Sequence, residues 1–166
     1  MIYIALGANL PHPRFGPAAD TLRHALAALE REGIGIDAVS RFYRSAPVPP
    51  SDQPDYVNAV ARVRSALDPA ALLERLHAIE AAFGRVRHER NEARVLDLDL
   101  LLYGDLVLEG QDGGPVLPHP RMHRRHFVLM PLAELAPDLV HPLLGVDIRG
   151  LLGHLPAGEG RCEPLE

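Results

Sequence analysis

Tyr56-Val57-Asn58-Ala59-Val60-Ala61-Arg62-Val63-Arg64-Ser65-Ala66-Leu67-Asp68-Pro69-Ala70-Ala71-Leu72-Leu73-Glu74-Arg75-Leu76 contains the change of period on which the fold turns. Val57, Ala59, Ala61 and Val63 recur at every second position, which predicts a strand over residues 56–65 with one apolar face. Asp68 and Pro69 then supply an N-cap and a first-turn proline. Beyond them the apolar spacing lengthens to three and four residues. Leu72, Leu76, Ile79 and Phe83 form the stripe of a helix that stops at Gly84.

Upstream, residues 2–6 read as a buried strand that turns at Gly7-Ala8-Asn9. Ala18, Leu22, Ala25, Leu26 and Leu29 predict a helix ending near Gly33, and residues 34–43 alternate as a second strand. Four prolines between Ser45 and Pro54 stiffen the following loop. Downstream, an arginine-rich segment leads into a strand over residues 95–103, and Gly104-Asp105 turns the chain toward Leu106-Val107-Leu108. Phe127, Val128, Met130, Leu132 and Leu135 predict one more helix. The order β-α-β-β-α-β predicts an α+β ferredoxin-like sandwich, an antiparallel sheet with helices packed on one face. One domain is expected over residues 1–155, with a polar tail over 156–166.

The 166 residues suffice for one domain that buries roughly two-thirds of its unfolded surface. No apolar run approaches the ~20 residues of a membrane span, and no basic region precedes the first strand, so a cytoplasmic location is expected. The single cysteine excludes a disulfide framework or a cysteine metal site. A net charge of −5 argues against nucleic acid as a partner. None of the 17 Lys+Arg residues is lysine. A GxxxxGK[ST] loop, a kinase phosphate lysine and Schiff-base chemistry are therefore excluded. Any phosphate must be handled by arginine forks, metal ions and backbone amides.

Asp97 and Asp99 stand at i and i+2 between leucines, so both carboxylates share one face of their strand. A divalent cation would relieve their repulsion, and Mg²⁺ commonly takes one or two protein carboxylates plus substrate phosphates. An ordinary solvent-facing strand edge has the same pattern. Arg85, Arg87, Arg90 and Arg94 arrive just before this pair, and a metal–triphosphate site would use both clusters. A solvated run of arginine–glutamate pairs is the alternative. Tyr56 and Asn58 also share a face, as a platform and an amide for a flat heterocycle or as ordinary sheet-surface residues. His119, between two prolines, reads as exposed and rigid.

The segments Leu6-Gly7-Ala8-Asn9-Leu10, Phe42-Tyr43-Arg44-Ser45, Asp52-Gln53-Pro54-Asp55-Tyr56-Val57-Asn58, Gly84-Arg85-Val86-Arg87, Leu96-Asp97-Leu98-Asp99 and Pro118-His119-Pro120-Arg121-Met122 occur in this order. Together they resemble the 6-hydroxymethyl-7,8-dihydropterin pyrophosphokinases over residues 1 to about 150. The resemblance implies Mg²⁺-dependent transfer of pyrophosphate from ATP to the hydroxymethyl group of a reduced pterin, releasing AMP, in folate biosynthesis. It also implies ATP and the pterin as partners and a monomeric catalytic domain.

By the same resemblance, Asp97 and Asp99 would ligate two Mg²⁺ ions, with Asp97 also near the pterin. Tyr56, Asn58 and Phe127 would line the pterin pocket, with backbone groups from Ser45 to Val48 at its edge. Arg85 and Arg94 would be the catalytic arginines, while Arg87, Arg90, His119, Arg125, His77 and Glu80 would contact ATP. The family's Trp-Gly-Pro-Arg stretch is replaced here by Asn91-Glu92-Ala93-Arg94, in a loop one residue shorter. Two other readings are an RNA-binding ferredoxin-like module and a pterin- or nucleotide-binding protein without activity. The first would need a basic, aromatic-rich sheet face that the composition does not offer.

Overall fold

The computed structural model describes residues 1–47, 50–84, 95–156 and 162–165. Among them, β1 (Ile2–Ala8), α1 (Ala18–Arg31), β2 (Gly35–Val39), β3 (Tyr43–Ser45), β4 (Tyr56–Arg64), α2 (Pro69–Ala82) and β5 (Asp97–Tyr103) form the predicted framework. They are followed by β6 (Leu108–Glu109), β7 (Val116–Leu117), α3 (His126–Leu135), α4 (Ile148–Gly153) and β8 (Cys162–Pro164). The main sheet runs β5-β1-β4-β3-β8, and β2 also pairs with β4. Every pair is antiparallel. β4 lies between β1 and the β2–β3 segment, and β1 lies between β4 and β5, which is the expected ferredoxin-like arrangement.

The helix signals act as read. Asp68 caps α2 by accepting the Ala71 N–H at 2.8 Å, with Pro69 in the first turn. Gly33 (φ 84°) and Gly84 (φ 93°) take the left-handed conformation just past α1 and α2. Leu22, Ala25 and Leu29 from α1 and Leu72, Leu76 and Ile79 from α2 meet the inner residues of β1, β4 and β5 in one core.

The predicted strand over residues 34–43 is divided into β2 and β3. At the break, Ser40 Oγ accepts the Val60 N–H at 3.0 Å, so a side chain occupies a position in the ladder. Helices also cover both faces of the sheet, not one. A second core joins Tyr3, Val60, Leu101 and Leu102 to Val128, Leu129 and Leu132 of α3 and to Ile148 and Leu151 of α4. The register shift between Tyr3 and Ile4 allows both Leu101 and Leu102 to enter it. Finally, β6 pairs with β7 in a separate small sheet, leaving Leu106 and Val107 exposed.

Candidate functional site

The face under α3 holds the polar groups of the sheet. Gly7 is opposite Asp97 on one side and Asn58 on the other, while Ala5 is opposite Asp99. Residues paired across neighbouring strands share a face, so Asp97, Gly7 and Asn58 form one row with Asp99 in the next. Both aspartates are half-buried, and the intervening leucines lie in the opposite core. Alternation therefore separates the two functions of this strand, anchoring on one side and charge on the other.

From Asn58 on β4 the row continues to Tyr43 on β3, and Tyr56 is opposite Ser45. The Asn58 Nδ2 group donates to Ser45 Oγ at 2.7 Å, with both residues buried. This bond assigns Nδ2 to the Ser45 side and turns Oδ1 toward Gly7, where an added Cβ would come within 3.0 Å of it. The amide thus presents an acceptor beside the aspartates. Asn9 Nδ2 donates to Gln53 Oε1 at 3.1 Å and to the Pro54 carbonyl at 3.2 Å, tying the end of β1 to the proline loop. Neither Asn9 nor Gly7 stood out as a site residue in the sequence, although both fall within its first matching segment.

His119 enters from beyond β7, its backbone N–H donating to the Leu101 carbonyl at 2.9 Å. It is half-buried, unlike the exposed position its flanking prolines suggested. Burial first, then Arg125 and Arg121, lower its pKa to about 4 against the opposing effect of Asp97. Nδ1 accepts the Arg121 N–H at 3.1 Å. A neutral ring bonded in this way carries its proton on Nε2, which is then a donor. Arg125 lies over the Phe127 ring at 5.3 Å, at the start of the helix that covers this face.

The remaining expected residues divide by position. His77 is exposed on α2, on the other side of the sheet. Glu80 is buried there, with Oε2 accepting the Leu98 N–H at 2.7 Å. This placement withdraws the carboxylate from solvent and directs it to the backbone of the aspartate strand. Val48, Arg85, Arg87, Arg90 and Arg94 lie outside the described residues.

Asp97 and Asp99 belong to no cluster of three or more His, Cys, Asp or Glu among the described residues. Two convergent carboxylates suit an ion that completes its shell with phosphate oxygens and water, which fits Mg²⁺ better than a protein-only cage. No helix among those residues is long and apolar enough to cross a membrane.

The profile of 7,8-dihydro-6-hydroxymethylpterin-pyrophosphokinase matches residues 3–137. The chain belongs to that family. It is 45% identical over 141 residues to the Haemophilus influenzae 2-amino-4-hydroxy-6-hydroxymethyldihydropteridine pyrophosphokinase, covering 84% of each chain. It is 46% identical over 144 residues to the Pseudomonas aeruginosa protein of the same name, covering 85% of this chain and 83% of that one. The fold also matches a crystal structure of Plasmodium falciparum HPPK-DHPS with a TM-score of 0.71. At 15% identity that likeness concerns the fold alone, and this chain spans 44% of the longer protein. Within the pyrophosphokinase family framework, the row Asp97–Gly7–Asn58 brings the aspartate pair beside the Tyr56–Asn58 pair.

Proposed function

We propose that this chain, a pyrophosphokinase of folate biosynthesis, transfers the β,γ-pyrophosphoryl group of ATP to the hydroxymethyl oxygen of 6-hydroxymethyl-7,8-dihydropterin with Mg²⁺. The adjacency of Asp97 and Asn58 across Gly7 carries this reading, because it puts a carboxylate pair for the metal–nucleotide next to an acceptor for a flat ring. Asn58 Oδ1 accepts a ring N–H, held in place by Ser45. Tyr56 and Phe127 supply the apolar ring contacts, with the backbone from Ser45 to Val48 at the ring edge. Asp97 and Asp99 hold two Mg²⁺ ions, which when bound neutralise the triphosphate and align the reacting oxygens.

The hydroxymethyl oxygen forms a bond to the β-phosphorus as the bond from that phosphorus to the α,β-bridging oxygen breaks. AMP leaves with the bridging oxygen, and the hydroxyl proton is lost to solvent. Neutral His119 donates from Nε2 to a phosphate oxygen, and Arg125 adds charge beside it. Arg85 and Arg94 stabilise charge on the transferring group, while Arg87 and Arg90 hold the nucleotide. The enzyme acts as a cytoplasmic monomer with a single catalytic domain over residues 1–155.

A product assay tests the reaction. AMP should accumulate only when the hydroxymethyl pterin, ATP and Mg²⁺ are all present. ADP as the product, or AMP without pterin, would overturn the assignment. Asp97→Ala and Asp99→Ala should each lower turnover by at least a hundredfold.

A further inference from the structure

We propose that Glu80 is a positioning residue for the aspartate pair: from α2 it holds the backbone between Asp97 and Asp99 and so sets the spacing of their carboxylates toward Mg²⁺–nucleotide. The inference rests on the reading of that pair as metal ligands.

Glu80 is 1% exposed, and its Oε2 accepts the Leu98 N–H at 2.7 Å. A carboxylate taken this far from water costs several kcal/mol unless hydrogen bonds compensate, and a charge-assisted bond is roughly twice as strong as a neutral one. Leu98 is itself 1% exposed in the core formed with α1 and α2. Its side chain is fixed by packing and its N–H by Glu80. The two aspartates are covalent neighbours of this doubly held residue and face the other way. Among the described residues, β5 is the last strand on its side of the sheet, and none of them forms a strand along its outer edge. A bond from the helix below supplies the restraint that a neighbouring strand gives elsewhere.

The tolerance of the proposed ligand explains why the restraint matters. Mg²⁺ requires near-octahedral oxygens at roughly 2.0–2.1 Å, so a small rotation of the β5 backbone moves one carboxylate out of range. A direct nucleotide contact by Glu80 would require an accessible carboxylate on the aspartate face. The observed one is buried beneath it.

Glu80→Gln and Glu80→Asp separate reach from charge. Glutamine keeps an oxygen acceptor at the same reach, whereas aspartate keeps the charge but is shorter by one methylene. Calorimetry should follow Mg²⁺-dependent binding of a non-hydrolysable ATP analogue, and NMR hydrogen exchange should follow the Leu98 amide without ligands. Positioning predicts that Glu80→Gln stays within about twofold of wild type, while Glu80→Asp needs about tenfold more Mg²⁺ and exchanges its Leu98 amide faster. The pterin KM at saturating Mg²⁺–ATP should stay unchanged in both. Equal Mg²⁺ dependence in all three proteins, or Glu80→Asp outperforming Glu80→Gln, overturns the proposal. So does uniform exchange at Leu98. Failure of the metal-pair reading would appear separately, as an Asp99→Ala variant that binds the Mg²⁺–nucleotide normally.

Discussion

Gly7 is the residue whose missing side chain matters most to the floor of the site. It is opposite Asp97 and Asn58, and an added Cβ would approach Asn58 Oδ1 to 3.0 Å. Gly7→Ala should displace the proposed ring acceptor while leaving the carboxylates on β5 in place. A roughly tenfold higher pterin KM, with Mg²⁺–ATP affinity within twofold, is the expected kinetic result (about 1.4 kcal/mol). An unchanged pterin KM would remove Asn58 Oδ1 from the recognition scheme. His119 gives a second residue-scale prediction. With a folded pKa of about 4 against an ordinary 6.5, it is neutral in both folded and unfolded chains above pH ~6.5. As pH falls from 6.5 through 4, the unfolded chain takes up a proton that the folded protein resists, so stability is lost across that window. His119→Gln removes this contribution. Its melting temperature should therefore gain on that of the wild type as pH is lowered from 7 to 4, and a constant difference would contradict the burial of the ring.

Among the elements, α3 packs on the sheet face that carries Asp97 and Asn58, and Glu134 fixes it to the β2–β3 segment. The carboxylate accepts the Arg41 N–H at 2.7 Å, Arg41 Nε at 3.0 Å and the Tyr43 hydroxyl at 2.8 Å. Arg41 is largely exposed, so solvent screens its part of this network. Glu134→Ala should cost about 1–2 kcal/mol and lower the melting temperature by roughly 2–8 °C. Intact stability would show that apolar packing alone docks the helix. This docking was invisible in the sequence because Glu134 meets residues more than ninety positions away. By contrast, β4 and α2 were legible because Val57, Ala59, Ala61 and Val63, then Asp68 and Leu72, state their periods and cap locally. The sequence also predicted the common face of Asp97 and Asp99, since that needs only alternation along one strand. It did not reveal the second core, whose Tyr3 and Val60 occupy the positions a solvent-facing side would use. Nor did it reveal the ladder role of Ser40, or Leu98 as the partner of Glu80, because each depends on the register of strands distant in sequence.

At the scale of the whole molecule, the end of the chain returns to the candidate pterin side of the sheet. β8 pairs with β3, placing Cys162 opposite Ser45, and the Leu165 N–H donates to the Phe42 carbonyl at 2.9 Å. β3 has only three residues, and its Ser45 holds the Asn58 amide. The strand that orients the proposed ring acceptor is therefore supported on one side by β4 and on the other by a segment from the far end of the chain. Burial raises the Cys162 thiol pKa to about 11, with Glu163 adding to the shift, so the thiol stays protonated and slow to react while β8 is docked. Deleting residues 157–166 should free the β3 edge for pairing with other chains and loosen Ser45. The expected outcome is a several-fold higher pterin KM, Mg²⁺–ATP affinity within twofold, and self-association that increases with protein concentration. Alkylation of Cys162 in the full chain provides the complementary measurement: slow labelling reports a docked strand, and a label large enough to prevent docking should reproduce the higher pterin KM. A truncated chain that stays monomeric with wild-type pterin kinetics would show that β4 alone holds Ser45. The division of effects is the physical point, because β8 borders the row leading to Asn58 while Asp97 and Asp99 lie two strands further on, secured by β1 and Glu80.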